Sequence, residues 1–319
     1  MNEMRAALYD SYGPPDVLYV GNTPAPSPGP DDVLVRVHAT SVNGGELAGR
    51  AGRVRLVTGR SFPQRTGIDF AGEIAATGGS VTGLREGDRV WGALPRGRFG
   101  STAEYVTARP RQLSFAPKGS TLVEAASLPA TGTTAITALK AKARLAPGER
   151  LLVRGASGGV GSVAVQLGKA LGAHVTALAG PKNLDFVREL GADEVLSYAT
   201  TGPSELGTFD VVLDTVGSEH AAYRKLLAPG GRMVSIAFDL DRLLPSLSYL
   251  VTSTVYGSRR VRFFSGNPRH DLFAELAGYV ESGAIRPVVD TVHPLDGIVA
   301  AHRALEAGGV RGKHVIQIV

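Results

Sequence analysis

The sequence predicts an α/β protein of two domains, one rich in β-strands and one built on a parallel sheet covered by helices. Three observations carry this prediction. The 319 residues are enough for two domains of ordinary size. Hydrophobic residues make up 43% and charged residues 20%, the balance of a chain that buries a core. The hydrophobic rhythm changes after Glu124, from short alternating runs to alternating strands and helices.

As far as Leu122 the chain reads as β-rich. In the run from Asp32 to His38, Val33, Val35 and Val37 fall on one face, and Leu34, Arg36 and His38 on the other. Similar runs at Ala71–Ala76, Asp88–Leu94 and Ala103–Thr107 are bounded by turn residues such as Gly78-Gly79 and Gly87-Asp88. The alternating prolines Pro24, Pro26, Pro28 and Pro30 suit neither a helix nor a central strand.

Beyond Glu124 the pattern predicts a strand over Glu149–Ala156, then a helix over Gly159–Leu171 with Val160, Val163, Ala164, Leu167 and Leu171 at helical spacing. A strand at His174–Ala179 and a helix at Asn183–Leu190 follow, then strands at Glu194–Tyr198 and Phe209–Val216. A helix at Glu219–Leu227 and a strand at Arg232–Ala237 complete the alternation. Apolar strands alternating with helices mean a parallel sheet with both faces covered. The remainder reads as an amphipathic helix, Asp271–Ser282, then a strand, helix and strand at Val288–Val292, Leu295–Ala307 and His314–Val319.

Composition excludes several functions. There is no cysteine, which removes disulfides, thiol nucleophiles and thiolate-bound metals. No two of the seven histidines lie within one helical turn, so no metal site is expected. The formal net charge of +5 suits an anionic ligand. Basic residues are scattered among acids, however, and the densest run is Arg259-Arg260-Val261-Arg262, so no nucleic-acid partner is expected. Residues Met1 to Arg5 show no charged-then-apolar signal pattern, and Lys169 interrupts the least charged stretch, Gly161–Gly180. The expectation is a cytoplasmic protein with no membrane partner.

The most informative stretch is Leu151-Leu152-Val153-Arg154-Gly155-Ala156-Ser157-Gly158-Gly159-Val160-Gly161, which follows a strand and opens a helix. Glycines there tighten the turn, let backbone approach a diphosphate and let the helix pack close to the sheet. The bare N–H groups of the helix start then face the phosphates. Ser157, Gly158, Gly159, Val160 and Gly161 are therefore candidate cofactor contacts. The same run also satisfies G-x-S-x-G, the nucleophile elbow of a serine hydrolase, with Asp214 and His302 in the required order. Against that reading, the glycine series continues to Gly161 and β-rich sequence, rather than strand–helix units, precedes it.

An NAD-preferring fold places an acid about 20 residues on, at the end of the second strand. From Ser162 to Leu184 there is no Asp or Glu, and the strand runs into Gly180-Pro181-Lys182-Asn183. The missing carboxylate removes repulsion and Lys182 can pair with a 2′-phosphate, so the expected cofactor is NADPH.

These residues resemble the zinc-independent quinone oxidoreductase branch of the medium-chain dehydrogenase/reductase superfamily. The resemblance rests on Gly155–Gly172, Phe186–Asp193, Gly67-Ile68-Asp69-Phe70-Ala71-Gly72, Gly87-Asp88-Arg89-Val90, Ala103-Glu104-Tyr105-Val106 and Gly132-Thr133-Thr134-Ala135. Arg286-Pro287-Val288-Val289-Asp290 and Arg311-Gly312-Lys313 extend it to nearly the whole chain. It implies a GroES-like β-barrel catalytic domain over 1–122 and 287–319 and a Rossmann domain over 123–286. It also implies a homodimer that passes hydride from NADPH to a small quinone or α,β-unsaturated carbonyl, acceptors electron-poor enough to take it without a metal.

By position, the resemblance assigns Asn43 and Thr134 to the active site. The mechanism expected there uses the Asn43 amide as oxyanion donor and solvent as the proton source, with Tyr256 read as a core or interface tyrosine rather than the proton donor. It places Gly180, Lys182 and Tyr198 at the 2′-phosphate and adenine with help from Lys313, and Phe263 and Phe264 beside the carboxamide. The chain departs from the family where Asn-Pro-x-Asp and a following aromatic are replaced by Asn43-Gly44-Gly45-Glu46-Leu47-Ala48, and where Gly180 stands for a serine. A protein that binds the dinucleotide without turnover is the alternative those departures raise.

Overall fold

The computed structural model describes residues 3–55, 59, 61–237, 261–264 and 266–319. Strands β1 (Glu3–Tyr9), β2 (Tyr19–Pro24), β3 (Val33–Ser41), β4 (Gln64–Arg65), β5 (Asp69–Thr77), β6 (Arg89–Ala93), β7 (Tyr105–Ala108) and β8 (Leu113–Phe115) come first. Then follow β9 (Arg150–Arg154), β10 (His174–Ala179), β11 (Glu194–Ser197), β12 (Phe209–Asp214), β13 (Leu227–Ser235) and β14 (Val261–Phe263), and the chain ends with β15 (Val289–Pro294) and β16 (Lys313–Gln317).

The chain divides into two compact units, Met1–Thr133 with Asn267–Val319, and Thr134–Gly266. The divisions expected after residues 122 and 286 thus fall after 133 and 266. The reason is packing: the helix Leu122–Ala126 lies against β3, β5 and β16, and the helix His270–Glu281 against β8 and β6.

In the first unit one sheet runs β15-β16-β3-β5-β6-β8 with β7 also on β3, and a smaller one runs β2-β1-β4. The predicted alternation in β3 is observed. Val33, Val35 and Val37 are fully buried with Phe70, Ile74 and Val90, while Arg36 is exposed. Each such valine contributes roughly 1.5 kcal/mol or more by leaving water. Pro24 ends β2, an edge strand, the position in a sheet where proline is tolerated.

The second unit is a parallel sheet in the order β11-β10-β9-β12-β13-β14. The strand order reverses between β9 and β12, the kind of switch point at whose carboxyl edge ligands bind. Leu151, Leu152 and Val153 of β9 and Val211, Val212 and Leu213 of β12 have no exposed surface, as strands covered on both faces require. The helix predicted over Glu219–Leu227 spans only His220–Arg224, because Glu219 is held at φ 56° and Leu227 already belongs to β13. No helix among the described residues is long and apolar enough to cross a membrane.

Candidate functional site

β9 ends at Arg154, and the glycine loop leads into the helix Gly159–Ala170. Gly155 turns the chain at φ 70°, a conformation that glycine reaches without strain. A Cβ on Gly161 would stand 2.1 Å from the Gly155 carbonyl oxygen, so close packing of helix on turn demands glycine there. Gly158 is different: a Cβ there would meet nothing nearer than 3.5 Å. No side chain caps this helix start, which leaves the first-turn N–H groups of Gly159, Val160 and Gly161 without intrahelical acceptors. An uncapped, half-exposed helix start of this length fits a dinucleotide phosphate.

Ser157 Oγ accepts a hydrogen bond from Asn183 Nδ2 at 3.2 Å. Its backbone is not in the left-handed region, unlike that of a strained nucleophile elbow. Nor is Asp214 available as a triad acid. Its carboxylate is fully buried and accepts from Arg154 Nη1 (2.8 Å), Ser235 Oγ (3.1 Å) and the Val216 N–H (3.1 Å), with His220 Nε2 also 3.1 Å away. The hydrolase reading therefore fails on geometry.

At the end of β10, Gly180 lies against Tyr198, and a Cβ there would sit 3.1 Å from the Tyr198 hydroxyl. The Tyr198 N–H donates to Ala179 O, which holds its exposed ring at the strand ends. Lys182 is exposed in the short 3₁₀ turn Pro181–Asn183. The three residues predicted for the ribose end are thus gathered in one place.

Arg154 and Asp214 are register partners at the ends of β9 and β12, directly beside the loop. Both are buried, and the guanidinium also donates to Ser218 O at 2.6 Å and lies 3.6 Å over the Tyr223 ring. Burial opposes ionisation of Asp214, yet the His220 hydrogen bond, the Arg154 charge and the Val216 and Gly217 N–H groups outweigh it and hold its pKa below the ordinary value. Sequence spacing alone does not bring these two residues together. The available signal was a charged residue closing each of two apolar strands, Leu-Leu-Val-Arg and Val-Val-Leu-Asp.

In the first unit, Asn43 caps no helix N–H with its side chain but belongs to a buried polar network. Its Nδ2 has Ser41 O at 3.0 Å, Glu46 Oε1 at 2.9 Å and Asp69 Oδ2 at 3.2 Å, three acceptors for two hydrogens. Its Oδ1 accepts from Lys313 Nζ at 2.7 Å, and the ammonium also donates to Val42 O. Two expectations are corrected here. The Asn43 amide has no hydrogen left for an oxyanion, and the Lys313 ammonium is buried in this network rather than presented to a 2′-phosphate.

Glu46 is 2% exposed and Asp69 fully buried. Thr66 Oγ1 and the Gly67 N–H donate to Glu46 Oε2, and the Ser41 N–H and hydroxyl to Asp69. Burial first, and the Asp69 charge second, push the Glu46 pKa up to about 7. Burial lowers that of Lys313, against the opposing pull of Asp69 and Glu46.

Thr134 is half-buried at the start of the second unit, where a Cβ on Gly266 would be 3.9 Å from its hydroxyl. Phe263 closes β14 with its ring 5.5 Å from that of His220, and Phe264 follows, half-buried. Tyr256 lies outside the described residues.

An "Alcohol dehydrogenase GroES-like domain" model matches residues 29–118, and a "Zinc-binding dehydrogenase" model matches residues 190–316. "NAD(P)H oxidoreductase RTN4IP1, mitochondrial" of Homo sapiens is 33% identical over 99% of this chain and 89% of its own. The chain belongs to the zinc-independent quinone oxidoreductase branch of the medium-chain dehydrogenase/reductase superfamily. "NADPH-dependent alkenal/one oxidoreductase, chloroplastic" of Arabidopsis thaliana is 32% identical over 98% of this chain and 79% of its own. The solved quinone oxidoreductase from Coxiella burnetii superposes with a TM-score of 0.90 at 29% identity, covering 99% of this chain and all of that one.

The two units are thus the GroES-like and Rossmann domains of an oxidoreductase of that branch. Zinc does not fit this member. It has no cysteine, and among the described residues no three His, Asp or Glu side chains are placed to hold a metal.

Proposed function

We propose that the protein is an NADPH-dependent reductase of quinones or α,β-unsaturated carbonyls, working in the cytoplasm as a homodimer. The observation that carries this reading is the uncapped helix start at Gly159–Gly161, set at the switch point of the parallel sheet. The carboxylate-free strand end with Lys182 supports NADPH over NADH. The names of the quinone and alkenal/one relatives support the acceptor class. Among the described strands β14 is a sheet edge, which supports pairing with a second copy.

When bound, the reduced nicotinamide supplies the hydride. The chain holds and orients. The Gly159, Val160 and Gly161 N–H groups and the helix dipole take the diphosphate, with Ser157 and Gly158 beside it. Gly180, Lys182 and Tyr198 border the 2′-phosphate and adenine. Thr134 and the Phe263-Phe264 backbone serve the nicotinamide end. Asn43, its hydrogens committed, shapes the pocket, and the proton for the product comes from solvent. Leu47 and Ala48, where the family carries an aromatic, leave room for a polycyclic acceptor.

The test is a fluorescence titration with NADPH and NADH, followed by NADPH consumption over a panel of quinones and enones. Binding of NADPH at least about tenfold tighter, with the gap narrowed in Lys182→Ala, is expected. Equal binding would sink the 2′-phosphate argument. Tight binding without turnover on any acceptor would favour a non-catalytic dinucleotide-binding protein.

A further inference from the structure

A cavity of about 510 Å³ lies on the GroES-like unit beside β7. Four guanidinium side chains line it, Arg65, Arg98, Arg109 and Arg111, against one carboxylate, Asp32. Arg109 Nε stands 3.7 Å from Asp32 Oδ1. The other three arginine side chains have no hydrogen-bond or ion-pair partner among the described residues. A concave site with such an excess of one sign concentrates the potential felt by an oppositely charged ligand.

Arg65 is the most informative of the four. It is only half-exposed, and burial alone lowers its pKa, with no carboxylate acting to offset that cost. The fold nonetheless makes room for it. Gly100 lies at φ 138°, and a Cβ there would stand 3.2 Å from Arg65 Nε. A guanidinium kept partly out of water without a counter-charge is costly unless something anionic meets it.

The turn that carries Arg109 and Arg111 is held by its own hydrogen bonds. Pro110 opens the 3₁₀ turn Pro110–Gln112, the Gln112 N–H donates to Arg109 O at 2.8 Å, and the Arg109 N–H donates to Gln112 Oε1 at 2.9 Å. Arg109 and Arg111 therefore project from a corner whose backbone is already ordered. The same two residues also line a second cavity of about 380 Å³.

We propose that this arginine-lined cavity is a binding site for a small phosphorylated ligand, carried on a different unit from the dinucleotide loop. All four cations are arginines, whose planar forks match the oxygens of phosphate groups pairwise, and no lysine lines the cavity. The volume falls in the range of small-molecule sites. The phosphate is met by the guanidinium groups of Arg65, Arg98, Arg109 and Arg111 that line the cavity.

The experiment is calorimetric titration of the protein, saturated with NADP⁺ to occupy the glycine loop, with inorganic pyrophosphate at constant ionic strength. Saturable binding is expected. It should weaken at least about tenfold in Arg65→Gln and in the Arg98→Gln/Arg111→Gln double variant, with NADPH affinity unchanged. Arg96→Gln, outside the cavity, should bind pyrophosphate as the parent does. If Arg65→Gln fails to fold, the exposed Arg98/Arg111 pair decides alone. Absence of saturable binding, or equal affinity in parent and variants, overturns the proposal.

Discussion

The Lys313 ammonium lies 2.7 Å from the Asn43 side-chain oxygen and, with Val42 O as its other acceptor, ties β16 to the end of β3. The arrangement sets the amide's orientation. Its oxygen faces the cation, and its NH₂ faces the Glu46 and Asp69 carboxylates.

Removing the cation leaves two buried carboxyl groups without it. Lys313→Met is expected to cost about 3–5 kcal/mol of stability, read as a lowered urea midpoint, because breaking a buried ion cluster from one side strands the remaining charge. A loss below about 1 kcal/mol would show that the network is not held by this ammonium.

Glu46 sets a pH dependence on the neutral side. The folded protein keeps its proton up to about pH 7, whereas the unfolded chain releases it near 4.5. The folded state therefore binds more protons between those values, and stability falls as pH rises through that window. Glu46→Gln should flatten this slope in a series of melting curves, and an unchanged slope would remove Glu46 as its source.

His302 acts with the opposite sign. It is fully buried, and burial together with the Arg50 charge pushes its pKa down to about 3 from an ordinary 6.5. Between these values the unfolded state binds the proton and the folded state does not. Its stabilising contribution is whole above pH 6.5 and is lost as pH falls toward 3, with a slope of at most about 1.4 kcal/mol per pH unit. His302→Leu should melt at a higher temperature than the parent at pH 4.5. Identical acid sensitivity in the two proteins would count against this assignment.

Two glycines of the loop separate folding from binding. Gly161→Ala drives a methyl group against the Gly155 carbonyl, so both stability and dinucleotide affinity should drop. Gly158→Ala meets nothing closer than 3.5 Å and has an ordinary φ of −74°, so the melting temperature should hold. Its methyl group would stand where the diphosphate approaches, and NADPH affinity should fall at least about tenfold. Full NADPH affinity in Gly158→Ala would place the phosphates elsewhere.

By itself the sequence determined the parts whose causes are local. The period-2 apolar run in β3, the strand–glycine loop–helix at 150–170 and the carboxylate-free end of β10 were legible because neighbouring residues decide backbone conformation and which face is buried. Helix ends were less so: the helix expected to run to Leu227 stops at Arg224, because Leu227 pairs with Phe209 in the sheet.

The tertiary structure alone decided which charges meet. Lys313 and Asn43 are 270 positions apart, Arg154 and Asp214 60 apart, and Arg65 and Arg109 reach one cavity from separate strands and turns. A side chain's partners follow from how sheets and helices stack. That is why Asn43 and Lys313, matched by position to a catalytic donor and a phosphate contact, stand instead in one buried network. Hydrophobic period shows where a residue is buried, and only the packed fold shows against what.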